Sequence, residues 1–254
     1  MRKIVLLFFV PLILFSCGGQ VSQRELIEVW NPVQTHGQLQ VKGRYLCNEY
    51  GDTIVLRGVS FGWHNLWPRF YNAQTVKWLK DDWKCSVLRV PMGIHWEDNY
   101  LENPEFTLNC IEPVIKAAIK EGVYVIIDWH AHDFYTEEAK DFFAYMARKY
   151  GKYPNVMYEL FNEPTHNHFW PEIKELITEI RKYDADNLIL VGTPSWDQHV
   201  DIAATDPIEC SSNIMYTFHF YAATHKEKER ARLAKAIEMG LPVFVSESAG
   251  CEHT

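Results

Sequence analysis

Val123-Tyr124-Val125-Ile126-Ile127-Asp128-Trp129-His130 is the stretch that decides how the chain is read. Its first five residues form a short, unbroken apolar run. Such a run fits a strand covered on both faces, as in a parallel sheet flanked by helices, better than the alternating pattern of a half-solvated strand. The run is followed by Asp128, Trp129 and His130, polar and aromatic residues at the C-terminal end of the strand. Outward from this segment the pattern repeats. Strands are predicted at Thr53–Val59, Ser86–Pro91, Val156–Phe161, Asn187–Val191, Asn213–Phe218 and Pro242–Ser246. Amphipathic helices are predicted between them at Thr75–Trp83, Cys110–Glu121, Glu137–Tyr150, Trp170–Tyr183 and Lys226–Met239. This βα alternation over residues 53–254 predicts a (β/α)8 barrel with seven strands visible, one βα unit short of eight. No Gly-rich GxGxxG turn follows any strand, so a dinucleotide fold has no support.

The strand ends share a second feature. Trp63 and His64, Arg89, Trp129 and His130, Asn162 and Glu163, Trp196, His219 and Tyr221, and Glu247 fall just past the C-terminal ends of successive strands. In a barrel these ends converge on one face, where active sites are built. Glu163, in Asn162-Glu163-Pro164, and Glu247, after Val243-Phe244-Val245, would face each other across the mouth. Paired carboxyl groups are what glycosidic bond cleavage needs: one protonates the leaving oxygen and the other attacks the anomeric carbon.

Composition fits this reading. The chain has 254 residues, 47% hydrophobic, enough for one large domain. Asp and Glu number 33 against 25 Lys and Arg, so nucleic acid is disfavoured as a partner. Aromatic residues reach 14%, which suggests flat stacking surfaces as well as core.

The N-terminus is expected to be a leader. Arg2 and Lys3 precede an apolar run from Ile4 to Phe15, too short to span a bilayer as a mature helix but ordered like a signal peptide. Leu14-Phe15-Ser16-Cys17 resembles a bacterial lipobox, which implies lipidation at Cys17, a membrane partner through the lipid, and a place in the cell envelope, with plain secretion as the alternative. Residues 18–36 are polar and read as a tether. Residues 37–254 read as the barrel domain, opened by a hairpin with Leu39, Val41, Tyr45 and Leu46 as alternating positions and Asn48–Asp52 as turn chemistry. The remaining Cys47, Cys85, Cys110, Cys210 and Cys251 have neither zinc nor CxxC spacing and read mostly as small buried residues.

Taken together, Leu56-Arg57-Gly58-Val59-Ser60, Leu88-Arg89-Val90-Pro91, Ile127-Asp128-Trp129-His130, Phe161-Asn162-Glu163-Pro164, His219-Phe220-Tyr221 and Val245-Ser246-Glu247 resemble the ordered motifs of glycoside hydrolase family 5, and its bacterial cellulase branch in particular. The resemblance runs from about Gly37 to the last residue. It implies a retaining endo-β-1,4-glucanase acting on β-linked polysaccharide, with Glu163 as acid/base and Glu247 as nucleophile. It further implies that Asn162 meets the sugar 2-hydroxyl, that Arg89 and Tyr221 hold the nucleophile ionised, and that His130 and His219 line the cleavage subsite. Trp67 and Trp196 are candidate stacking platforms, and His64 a candidate substrate contact in a loop that aligns less closely. No metal or organic cofactor is implied.

The sequence departs from the family in two places. The nucleophile motif continues Ser248-Ala249-Gly250 where many relatives carry an aromatic residue and glycine. The chain also stops seven residues after Glu247, so about 40 to 50 residues of a usual barrel are expected to be missing. A β-mannanase or mixed-linkage glucanase, and a non-catalytic glycan-binding or decayed form, are the alternatives that remain.

Overall fold

The computed structural model describes residues 30–165 and 170–251. The leader, Cys17 and most of the expected tether lie outside these residues. The tether expectation fails at its end: residues 30–36 belong to the folded body. Trp30 Nε1 donates to the Cys85 carbonyl at 3.0 Å, and the Val33 amide donates to the Gly122 carbonyl at 3.0 Å. Asn31 caps the short helix α1 (Pro32–His36) by accepting the Gln34 amide.

The hairpin forms from β1 (Gln40–Lys42) and β2 (Tyr45–Cys47), antiparallel, with its turn at Gly43-Arg44 rather than at Asn48–Asp52. Gly43 takes the left-handed φ, 60°, that such a two-residue turn favours. The expected Asn48–Asp52 turn also exists. There the Asn48 side chain accepts the amides of Tyr50 and Asp52, and the chain is sent back so that Thr53 bridges Cys47. The first barrel strand is therefore shorter and later than the sequence suggests. It is β3 (Gly58–Ser60), because Thr53–Arg57 is spent along the hairpin and on Ser86, whose hydroxyl accepts the Arg57 amide.

From there the alternation holds: α2 (Ala73–Asp81), β4 (Val87–Gly93), α3 (Pro104–Glu121), β5 (Tyr124–His130), α4 (Thr136–Tyr150), β6 (Val156–Glu159), α5 (Trp170–Arg181) and β7 (Ile189–Val191). Two single turns follow, α6 (Pro194–Asp197) and α7 (Val200–Ala203), then β8 (Ile214–Tyr221), α8 (Glu227–Glu238) and β9 (Val243–Ala249). Strands β3 to β9 form one parallel sheet in sequence order, each paired with its chain neighbour. This is the TIM-barrel arrangement, nearly closed. Among the described residues β3 and β9 share no ladder, and a narrow gap lined by Val59, Ser60, Phe244 and Ser246 separates them.

Two apolar layers hold the barrel. The larger lies between sheet and helices and includes Val76, Ile111, Val125, Phe142, Tyr158, Ile177 and Val191. The smaller fills the lower interior with Tyr124, Ile126, Met157, Leu190 and Met215, floored by Leu39 and Leu46 of the hairpin. The Tyr124 hydroxyl donates to the Gly37 carbonyl at 2.6 Å, which fastens that floor. Above this layer, residues of the same inward parity become polar. Cys47, Cys85 and Cys110 are buried as expected, but Cys210 and Cys251 are exposed.

Candidate active site

Arg89 stands at the centre of the polar layer, on β4 and 2% exposed. Its Nε and Nη2 donate to the two oxygens of Glu159 on β6, each at 2.9 Å, a bidentate pair. Nη2 also reaches Asn162 Oδ1 at 2.7 Å and lies 3.0 Å from Asp128 on β5. Nη1 donates to Glu247 on β9 at 2.8 Å and to Ser60 on β3 at 3.2 Å. One buried cation thus ties five strands or strand ends together and orients three carboxyl groups.

Glu247 is the carboxylate these contacts favour. Burial alone would raise its pKa, but the Arg89 charge outweighs that, aided by His219 and the Tyr221 hydroxyl, and the group is held at about 2. Tyr221 on β8 donates to its second oxygen. Asp128 behaves in the opposite way. Complete burial pushes it up to about 7 despite the attraction of Arg89, and it lies 2.7 Å from His130 Nδ1. His130 is driven down to about 3 by burial and by Arg89, so the neutral ring donates from Nδ1 to Asp128.

Glu163 follows β6 with a left-handed φ of 51°. Its carboxylate lies 3.0 Å from His219 Nδ1. Burial would lower His219, but the charge of Asp197 and the hydrogen bond with Glu163 raise it to about 9. The other ring nitrogen meets Ser246 Oγ at 2.8 Å, and Ser246 in turn donates to Glu159 at 3.0 Å. A carboxylate oxygen of Glu163, a ring nitrogen of His219 and a carboxylate oxygen of Glu247 lie within 4.8 Å of one another. Asn162 is wholly buried, its oxygen is taken by Arg89, and its Nδ2 has no partner among the described residues. A buried donor without a protein partner is rare and calls for one.

The cleft above these groups is lined by Trp63, His130, Tyr221 and Glu247. Trp63 meets His130 edge-on at 4.5 Å and Trp96 at 4.3 Å. Gly93 makes room for it, since a Cβ there would sit 2.4 Å from the indole. Trp67 and Trp196 are 42% and 50% exposed, in the loops that follow β3 and β7, and the Arg69 guanidinium lies over the Trp67 ring at 5.1 Å. His64 does not join them. Its ring is 0% exposed, accepts the Gly93 amide through Nδ1 at 3.0 Å and meets the Thr107 hydroxyl at 2.8 Å. Burial lowers it to about 4. His64 is a neutral core histidine, and its neighbour Trp63 is the residue that faces the cleft.

Sequence reasoning did not assign Glu159, Ser246, Asp197 or His132, whose ring nitrogen approaches Glu163 to 4.0 Å. Glu159 carried a readable signal: a lone charge in the apolar run Val156–Phe161 must have a buried partner.

The family model described as cellulase, glycosyl hydrolase family 5, matches residues 47–254. An endoglucanase of Clostridium saccharobutylicum is 41% identical over 221 residues, which cover 83% of this chain and 49% of that protein. Endoglucanase Z of Dickeya dadantii is 46% identical over 199 residues, 75% of this chain and 46% of the relative. The chain therefore spans about half the length of the curated relatives it matches. The solved catalytic domain of Thermobifida fusca endoglucanase Cel5A superposes with a TM-score of 0.81 at 35% identity, covering 88% of this chain and 77% of the other. A variant of that domain has been solved in complex with cellotetraose, with a TM-score of 0.81 at 34% identity and coverage of 86% and 76%.

Proposed function

The chain belongs to the cellulases of glycosyl hydrolase family 5, and from that premise we propose that it is a retaining endo-β-1,4-glucanase with Glu247 as nucleophile and Glu163 as acid/base. The observation that carries the proposal is the approach of the two carboxylates, with one oxygen of each within 4.8 Å. Retaining glycosidases set their carboxyl groups about 5 to 5.5 Å apart, whereas inverting ones leave about 6.5 to 9.5 Å to admit a water.

The steps follow from the contacts. Glu247, ionised through Arg89 and Tyr221, attacks the anomeric carbon as Glu163 gives its proton to the departing glycosidic oxygen. The bond to the leaving sugar breaks and a glycosyl ester to Glu247 forms. A water then attacks the same carbon, gives its proton to Glu163 and frees Glu247. The open Nδ2 of Asn162 is available to the sugar 2-hydroxyl, a contact that strengthens in the transition state. The endo mode and the β-glucan substrate are supported by the relatives' names as endoglucanases, by the cellotetraose held by the Thermobifida variant, and by the Trp63 ring that lines the cleft.

Kinetics of two variants test the assignment. Glu247→Gln is expected to lose nearly all activity on every glycoside. Glu163→Gln should retain most of its kcat/KM on dinitrophenyl β-cellobioside, which needs little protonation, while losing about 100-fold or more on carboxymethyl-cellulose. Equal activity of wild type and Glu247→Gln would sink the reading. A panel of glucan, mannan and mixed-linkage glucan separates the substrate alternatives.

A further inference from the structure

Four non-glycine residues in the loops after β6 and β7 adopt left-handed backbone angles that L residues disfavour: Glu163 after β6, and Ser195, Trp196 and Asp197 in succession after β7, with φ of 51, 59, 57 and 58°. Such angles persist only where the surroundings impose them. Here the two loops are fastened to each other. The wholly buried Asp197 accepts the Glu163 amide at 2.9 Å through Oδ2, and the Trp196 amide donates to the Pro164 carbonyl at 3.2 Å. The same carboxyl group is anchored below through Oδ1, which accepts the Thr193 amide and, at 2.7 Å, the Thr217 hydroxyl on β8. Its Oδ2 also lies 3.6 Å from His219 Nε2, on the side of the ring opposite Glu163.

We propose that Asp197 is a positioning residue for the acid/base: it locks the backbone of Glu163 in the left-handed conformation and joins it to the loop that carries the Trp196 ring. The acid and an adjacent stacking surface then form one rigid unit, and a glycan resting on Trp196 presents its linkage to a carboxyl group already in place. The inference rests on Glu163 being the acid/base.

Asp197→Asn tests it. An amide retains one oxygen, so either the Thr193 or the Glu163 amide must face an NH2 group, and the link cannot stay whole. If Asp197 acts through Glu163, the loss must scale with the need for acid catalysis. The expected result is a fall of about 30-fold or more in kcat/KM on cellotetraose, with a change of about 3-fold or less on dinitrophenyl β-cellobioside. Thr217→Val, which removes one donor from the same carboxyl group, should give a smaller loss in the same ratio and covers the case in which Asp197→Asn does not fold. Equal losses on both substrates, or no loss on either, overturn the proposal. An activity-independent signal separates it from the hydrolase reading: the Glu163 amide proton, donating to a carboxylate, should resonate downfield in the wild type and move upfield in Asp197→Asn. If the wild type cleaves neither glycoside, the hydrolase reading falls, while an unmoved amide resonance overturns the positioning role by itself.

Discussion

Arg89 shows how much of the site depends on the shape of a single side chain. Its planar fork serves Glu159 with two donors while the remaining N–H groups reach Asn162, Glu247 and Ser60. A lysine has three donors on one nitrogen and cannot meet carboxyl groups on β6 and β9 together. Arg89→Lys is therefore expected to destabilise the fold by about 3 kcal/mol, the scale of a broken buried ion pair, measured by chemical denaturation. It should also let the pKa of Glu247 rise, shifting the acid limb of kcat/KM to higher pH. An unshifted acid limb would show that Arg89 does not hold the nucleophile ionised. The type and position of Arg89, Glu163 and Glu247 were legible because polar residues at the ends of apolar strands are conspicuous. The Arg89–Glu247 contact was implied by the family resemblance, whereas Glu159 and Asp128 as partners of Arg89 were not read, because they come from two further strands and meet it only after the sheet has curled.

At the scale of elements, β9 illustrates what a strand pattern hides. Strict alternation would put Ser246 and Glu247 on opposite faces. Yet Ser246 bonds Glu159 and His219 while Glu247 bonds Arg89 and Tyr221. The register between β8 and β9 slips, with Thr217 opposite Phe244 but His219 opposite Glu247, so one extra residue of β9 is accommodated in a bulge that turns both side chains inward. The helices were more legible, since long 3.6-residue periods and caps are local signals. Helix α3 ends on Gly122 at φ 71°, and a Cβ there would lie 2.0 Å from Asn31 Oδ1, the cap of α1. Gly122→Ala is expected to cost about 1 to 2 kcal/mol in backbone strain, and more if α1 is displaced. Thermal unfolding checks this, with a melting temperature equal to wild type as the contrary outcome.

For the molecule as a whole, the buried titratable groups dictate how stability follows pH. His219, raised from 6.5 to about 9, contributes stability that is complete below its unfolded pKa and is lost as pH rises through 9. Asp128 and Asp197, raised from 3.8 to about 7 chiefly by burial, likewise lose their contribution as pH rises across that interval. His64 and His130, lowered from 6.5 to about 4 and about 3, act in the opposite sense over much of the same range. The two pairs offset one another in mildly acidic solution. Glu247, held at about 2 against 4.5, adds stability that disappears as pH falls through that window. The melting temperature should therefore be nearly flat between about pH 5 and 6.5 and fall on either side. His219→Asn should flatten the fall between pH 6.5 and 9, and an unchanged alkaline limb would assign it to another group.

By itself the sequence determined the βα alternation, the end of the sheet where chemistry collects, and the two carboxyl groups that face each other there. These depend on short-range periodicity and on residue type, which any local stretch carries. Only the tertiary structure decided that His64 packs into the core while Trp63 takes the cleft, that Trp30 to His36 dock against the body, and that Asp197 supports the Glu163 loop. Each of these turns on contacts between residues far apart in the chain, with 34 residues separating Asp197 from Glu163 and 55 separating Trp30 from Cys85. Burial strength and donor geometry select such contacts, and neither is expressed until the sheet has curled around its polar layer.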